Sequence, residues 1–245
     1  MKKIAVIPAR YAATRFHAKL MQPLGNKTVI RHTYDNTLAT GLFDDVMVAT
    51  DSPIIFQEIT SNGGHAVMSI KEHESGSDRI AEAVQDIDVD IIINIQGDEP
   101  FVNRQTIADL VAVFDDHTVS VGSLMHKLID PDMVANPNVV KVITDKRGNA
   151  LYFSRSPIPF NRSADPATSF FRHMGIYGYR KSALMQFIQW PISALEYAEK
   201  LEQLRYLENG VKIRMVETSV ETIGIDTPDD LTRAQQYLNE LNRLI

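Results

Sequence analysis

The run Ile91-Ile92-Ile93-Asn94-Ile95 constrains the fold more than any other stretch, because it stops abruptly at Gln96-Gly97-Asp98-Glu99-Pro100. Four of its five residues are β-branched and apolar, and turn chemistry follows directly. A short apolar run bounded by Gly and Pro reads as a strand buried on both faces, as in a parallel sheet covered by helices. Ligands of open α/β sheets bind outside the carboxyl ends of the strands, which places Asp98 well to meet one. A hard carboxylate there suits Mg²⁺ shared with a substrate phosphate. The alternative is that Gly97-Asp98 only turns the chain.

Along the chain, strands at Ile4–Ile7 (ended by Pro8), Val46–Thr50, Ala66–Ser69 and Ile91–Ile95 alternate with helices. Thr28 caps one helix to about Ala39, and Ser52-Pro53 opens another that Asn62-Gly63-Gly64 closes. Ser75-Gly76-Ser77-Asp78-Arg79 reads as a polar turn before a helix to about Gln85, and Asn103 caps the next one. This βαβαβα order predicts a doubly wound, largely parallel sheet. After about residue 117 the rhythm changes to strands at 118–124, 139–144, 150–154 and 172–179, with a hairpin turn at Asp145-Lys146-Arg147-Gly148. An inserted antiparallel β-region over about 118–180 is expected, within one domain spanning 1–245. Lys181–Gln189 follows as a helix, then one from Ser193 to Asn209, a strand at Lys212–Val216, and a helix from Pro228 to about Leu244 behind Thr227. Pro157–Pro166 is the best candidate for a mobile loop.

A formal net charge of -6 argues against a general nucleic-acid binder, which needs basic surface. The absence of cysteine excludes disulfides, thiolate metal sites and a cysteine nucleophile. No apolar run approaches the roughly 20 residues that span a bilayer, and Ile4–Ile7 is too short for a signal-peptide core. These points read as a soluble cytoplasmic protein.

Three groups of residues could carry chemistry. Arg10, Arg15 and Lys19 crowd a loop directly after the first strand, a candidate phosphate cradle built on cations. It contains neither the P-loop nor the Rossmann glycine pattern. Asp98 and Asp226 each follow a Gly or a strand end, and two carboxylates with phosphate oxygens and water can complete a Mg²⁺ octahedron. Asp226 also sits just before a helix, where plain charge complementarity would suffice. Arg155, Arg162, Arg172 and His173 gather around the insert, where arginines suit a carboxylate. Glu202 and Gln203 lie on the polar side of an amphipathic segment.

Ile7-Pro8-Ala9-Arg10-Tyr11-Ala12-Ala13-Thr14-Arg15 and Asn94-Ile95-Gln96-Gly97-Asp98-Glu99-Pro100 resemble the nucleotide-binding segments of the 3-deoxy-manno-octulosonate (Kdo) cytidylyltransferases. The resemblance continues through Ser75–Arg79, Ala150–Arg155, Arg172–Tyr179, Leu201–Arg205 and Gly224–Asp229, nearly the whole chain in order. One departure is clear. The family loop reads Arg-(Phe or Leu)-Pro-Gly-Lys-Pro-Leu, whereas this chain has Arg15-Phe16-His17-Ala18-Lys19-Leu20-Met21. The charges survive, while two prolines and a glycine are replaced.

The resemblance implies a three-layer nucleotide-diphospho-sugar transferase fold, Rossmann-like, and a homodimer built through the inserted β-region. It implies transfer of CMP from CTP to Kdo with Mg²⁺ as cofactor, while the charge and the lack of a long apolar run point to no nucleic-acid partner and no membrane insertion. By position, Arg10, Lys19, Asp98 and Asp226 would be catalytic, with Asp98 and Asp226 on the metal. Ala9, Arg15, Ser75, Arg79 and Gln96 would contact substrate, as would Arg155, Arg162, His173, Tyr177, Glu202 and Gln203. A cytidylyltransferase for 8-amino-Kdo or sialic acid stays open beside this reading, as does a non-catalytic nucleotide-sugar sensor.

Overall fold

The computed structural model describes residues 1–12, 16–73, 75–220 and 223–244; Arg15 lies outside them. Two compact units are formed, Met1–Arg104 with Thr222–Ile245, and Gln105–Glu221.

In the first unit, apolar runs too short for helices become strands and the capped segments between them become helices. The order is β1 (Lys3–Ala9), a tight 3-10 turn at Lys19–Met21, the short pair β2 (Pro23–Leu24) and β3 (Lys27–Thr28), then α1 (Val29–Ala39). Next come β4 (Asp45–Thr50), α2 (Pro53–Thr60), β5 (His65–Met68), α3 (Gly76–Val84) and β6 (Ile91–Asn94). β6, β1, β4 and β5 pair in that order, all parallel. Ile91, Ile92 and Ile93 are fully buried, as a strand covered on both faces requires. Local capping sets the helix starts. The Thr28 hydroxyl accepts from the Arg31 N–H, and the Ser52 hydroxyl from that of Ile55 with Pro53 in the first turn.

Two local expectations change here. Pro8 does not end β1; the strand continues through Ala9 because β4 still pairs with it, while the β6 pairing has stopped at Val6. A strand paired on one side tolerates the missing N–H. The Ser75–Arg79 segment is not a turn ahead of a helix but its start. The Ser75 hydroxyl accepts from the Asp78 N–H, and α3 begins at Gly76.

The second unit takes in α4 (Arg104–Ala112) from Gln105 onward, then β7 (Val121–Leu128), α5 (Pro131–Ala135), β8 (Lys141–Thr144), β9 (Ala150–Ser154) and β10 (Phe170–Arg180). It continues with α6 (Lys181–Phe187), α7 (Ala194–Glu199), α8 (Leu204–Glu208) and β11 (Ile213–Thr218). β7 is antiparallel to β10 but parallel to β11, and β8 and β9 form the expected hairpin around Asp145–Gly148. Asp145 Oδ1 accepts from the N–H groups of Arg147 and Asn149, and Gly148 takes φ +77.

The single helix expected over Ser193–Asn209 is two. Lys200 adopts a left-handed conformation (φ 54) and ends α7 before α8 begins. Glu196 and Arg205 are the reason. Nine residues apart on one helix they would face opposite sides at about 100° per residue, yet they form a buried two-point ion pair of 2.7 and 2.5 Å. The chain must fold back to make it.

The chain returns to the first unit as α9 (Pro228–Leu244). Among the described residues no helix is long and apolar enough to cross a membrane.

Candidate active site

A cleft of about 700 Å³ opens at the carboxyl ends of the first unit's strands, lined in part by Arg10, Lys19, Gln96, Asp98 and Asp226. Lys19 reaches it from the 3-10 turn. Its Nζ donates to Asp98 Oδ2 and, at 2.8 Å, to Asp226 Oδ1, so both carboxylates share one cation. Burial pulls the Lys19 pKa down, but the charge of Asp98 and the hydrogen bonds that Lys19 donates to both acids outweigh it and hold the ammonium above its ordinary value.

Backbone contacts bring the two acids together. The Ile225 N–H donates to the Asp98 carbonyl at 3.0 Å, which sets Asp226 beside Asp98. Asp230 then fixes the following helix start, since its Oδ2 accepts from the N–H groups of Asp226 (3.1 Å) and Thr227 (2.9 Å). The Thr227 hydroxyl caps in return. Sequence reasoning did not single out Asp230, although Thr-x-x-Asp is the spacing of a capping box with Asp in place of Glu. Gly97, by contrast, is required by tertiary packing. A Cβ there would lie 3.2 Å from Ile30 and Leu20 atoms and 3.3 Å from the Pro8 carbonyl, tighter than ordinary packing.

Ala18, where the family pattern has glycine, takes φ 51 and begins the turn that carries Lys19. A left-handed alanine costs roughly 1–2 kcal/mol, and the unfolded chain returns about 0.4–1 of that to any glycine replacement. Ala18→Gly is therefore expected to stabilise by about 0.5–1 kcal/mol. Differential scanning calorimetry would register this as a Tm rise of about 1–4 °C; an unchanged or lower Tm counts against the strain.

Other residues nominated from sequence occupy distinct places. Arg10 is exposed at the cleft and has no ion-pair or hydrogen-bond partner among the described residues. Ala9 is buried at the end of β1. Arg79 lines the cleft with its guanidinium committed to Asp51 at 2.6 Å. Ser75 is occupied with capping α3, and Gln96 donates to Asn94 at 3.2 Å. Asp51, Glu72 and His73 line the same cleft and were not anticipated. Their loops follow β4 and β5, and position after a strand was the one available signal.

In the second unit, His173 and Tyr177 flank an irregularity in β10, where the register against β7 shifts between Met174 and Tyr177. Such a bulge re-aims side chains, and the two rings lie 5.2 Å apart. Ser123, another residue sequence reasoning passed over, sits under the bulge, within 3.2 and 2.9 Å of the Met174 and Ile176 carbonyls. With its proton directed at these carbonyls, the His173 Nε2–H donates to the Ser123 oxygen at 3.0 Å and Nδ1 is left as an acceptor. Desolvation lowers the His173 pKa to about 3. Burial, then the charges of Tyr179 and Glu202, push Tyr177 well above its usual value, so it remains a neutral O–H donor.

Glu202 and Gln203 fall in the break between α7 and α8, not on a helix face. The Gln203 amide nitrogen is buried with no partner among the described residues, as is the Tyr206 hydroxyl. Arg155 is a brace: its guanidinium donates to the carbonyls of Glu199 (2.8 Å) and Pro137 (3.0 Å). Buried Lys141 supports it, donating to the carbonyls of Asn136, Val139 and Arg155 at 2.9, 2.6 and 2.6 Å. Arg162 is exposed.

His173 gives a pH prediction. Its folded pKa lies below the unfolded value, so the unfolded chain binds more protons between about 3 and 6.5. Stability therefore falls as pH drops below about 6.5 and the His173 contribution is flat above it. The Tm loss between pH 7 and 5 is expected to shrink in His173→Gln; an equal loss would refute a neutral buried imidazole.

Cation-bridged carboxylates and an arginine without a partner among the described residues stand at the ends of parallel strands, a chemistry suited to phosphate in an α/β protein. A cytidylyltransferase family model matches residues 4–213. The 3-deoxy-manno-octulosonate cytidylyltransferase of Flavobacterium johnsoniae is 57% identical over 98% of this chain and 100% of its own length. That of Christiangramia forsetii is 53% identical over 96% of each. A solved CMP:2-keto-3-deoxy-manno-octonic acid synthetase complexed with CTP is 38% identical, with a TM-score of 0.93 over 98% of this chain and 99% of that one. The chain belongs to the 3-deoxy-manno-octulosonate cytidylyltransferase family. A 4-diphosphocytidyl-2C-methyl-D-erythritol synthase from Anaerococcus prevotii shares the fold at 16% identity and a TM-score of 0.64, covering 97% of this chain and 99% of its own.

Proposed function

We propose that this chain transfers CMP from CTP to the anomeric hydroxyl of Kdo, releasing pyrophosphate and supplying CMP-Kdo for lipopolysaccharide biosynthesis. The observation that carries the reading is Lys19 held between Asp98 and Asp226 in a cleft that also presents Arg10. Two carboxylates that close on one ammonium can close on one divalent ion, and their hard oxygens suit Mg²⁺. Among the described residues no cluster of three or more His, Asp or Glu is available to a metal, so phosphate oxygens and water would complete the shell. Mg²⁺ held by Asp98 and Asp226 would polarise the α-phosphate and favour ionisation of the attacking hydroxyl.

The chain's own groups do the rest by position and charge, as phosphoryl-type transfers require. Arg10 and Lys19 neutralise charge gathering on the departing pyrophosphate. In the second unit, a neutral Tyr177 donor, the His173 Nδ1 acceptor and the unpaired Gln203 amide suit a polyhydroxylated acid. A homodimer formed through the β-region is supported by exposed apolar side chains there, Leu151 at 58% and Ile129 at 89%. We place the enzyme in the cytoplasm, where CTP is made.

Pyrophosphate release measured with CTP, Mg²⁺ and a panel of sugar acids tests the function. Release with Kdo is expected, and tight CTP binding without release for any acid would replace an enzyme with a sensor. Lys19→Ala should lower kcat by about 10²–10³-fold, the usual cost of one charge-stabilising donor. A wild-type rate would remove Lys19 from the machinery.

A further inference from the structure

Sheet order gives the cleft a direction. In the order β6, β1, β4, β5, Asp98 lies beyond β6, Arg10 beyond β1, Asp51 beyond β4 and His73 beyond β5. Three strand gaps at about 4.8 Å span roughly 14 Å, the scale of a nucleotide from its α-phosphate to the far edge of its base. If the phosphates lie at Lys19 and Arg10, the base reaches the end lined by His73. That end also presents Asp51 and Glu72, acids unsuited to a triphosphate.

His73 is held as a reader should be. Its side chain is 9% exposed, and its Nε2 lies 2.8 Å from Glu82 Oε2 on α3. Burial works to keep Glu82 protonated, but hydrogen bonds from His73 and from the N–H groups of Ile70 and Lys71 hold its pKa below the usual value. An ionised Glu82 accepts a hydrogen bond from the Nε2–H, so in the neutral ring Nδ1 carries the lone pair. Nδ1 has no partner among the described residues, and it is not sealed from solvent.

We propose that His73, with its tautomer fixed by Glu82, accepts a hydrogen bond from the exocyclic 4-amino group of cytosine and thereby selects CTP over UTP. Uracil presents a carbonyl oxygen at that position, which would face the Nδ1 lone pair. The inference rests on the reading that this cleft holds CTP. His73 touches the base, whereas Glu82 is a positioning residue.

Calorimetric binding of CTP, UTP and the triphosphate of 2-pyrimidinone riboside, which lacks the 4-amino group, tests it. The wild-type protein should bind CTP about 10–100-fold more tightly than the analogue, the scale of one buried hydrogen bond whose loss strands a partner. In His73→Phe that ratio should fall to within about threefold, with affinity for the analogue itself held. Glu82→Gln, which frees the tautomer, should narrow the ratio in the same direction and serves should His73→Phe not fold. A ratio unmoved in whichever variants fold overturns the proposal while leaving CTP binding intact. Failure of the wild-type protein to bind any of the three would remove the functional reading and this inference together.

Discussion

Turnover by the Asp226→Asn protein is expected to fall at least about 10³-fold while its fold stays intact. The carboxylate is 61% exposed and shares its cation with Asp98, so its ion pair contributes little to stability. Exposed pairs are worth about 0–1 kcal/mol, a Tm change of no more than about 4 °C. On the proposed Mg²⁺ site the loss in rate has another origin: an amide oxygen would lack the charge to hold a divalent ion against a triphosphate. Asp98→Asn should behave alike in rate. Steady-state CMP transfer across a Mg²⁺ titration, with thermal unfolding in parallel, checks both. A wild-type rate and unaltered Mg²⁺ dependence for Asp226→Asn would end the two-carboxylate reading.

The second large effect concerns stability. Glu196 and Arg205 are 6% and 8% exposed, and the Arg205 guanidinium also lies 4.2 Å from the Phe187 ring centroid. Removing one partner of such a pair strands the other charge, at a cost of about 3–5 kcal/mol. Glu196→Gln should therefore lower Tm by about 6–20 °C, at 2–4 °C per kcal/mol for a chain of this size. The same change loosens the bend that carries Glu202 and Gln203. It should raise KM for the sugar acid and leave KM for CTP in place. An unchanged Tm would show that the pair is dispensable.

The contrast between these two sites shows how much was legible beforehand. Thr28, Ser52 and Thr227 announced their helices because capping is settled within four residues, and the structure starts α1, α2 and α9 there. The Ile91–Ile95 run announced a strand buried on both faces for an equally local reason. The break at Lys200 could not be seen, since the Ser193–Asn209 segment has the composition of one helix and the Glu196–Arg205 contact that breaks it is tertiary. Pro8 misled for the same cause: whether proline ends a strand depends on which neighbours pair with it.

The candidate site divides similarly. The sequence by itself determined the residue types at the strand ends, the charge of the basic loop, and the family to which they belong. Tertiary structure alone decided that Asp98 and Asp226 would converge on Lys19, that Arg79 would be taken up by Asp51, and that His73 would line the cleft. Local order needs only neighbours along the chain. A shared cation or a buried pair depends on which distant segments the sheet brings side by side.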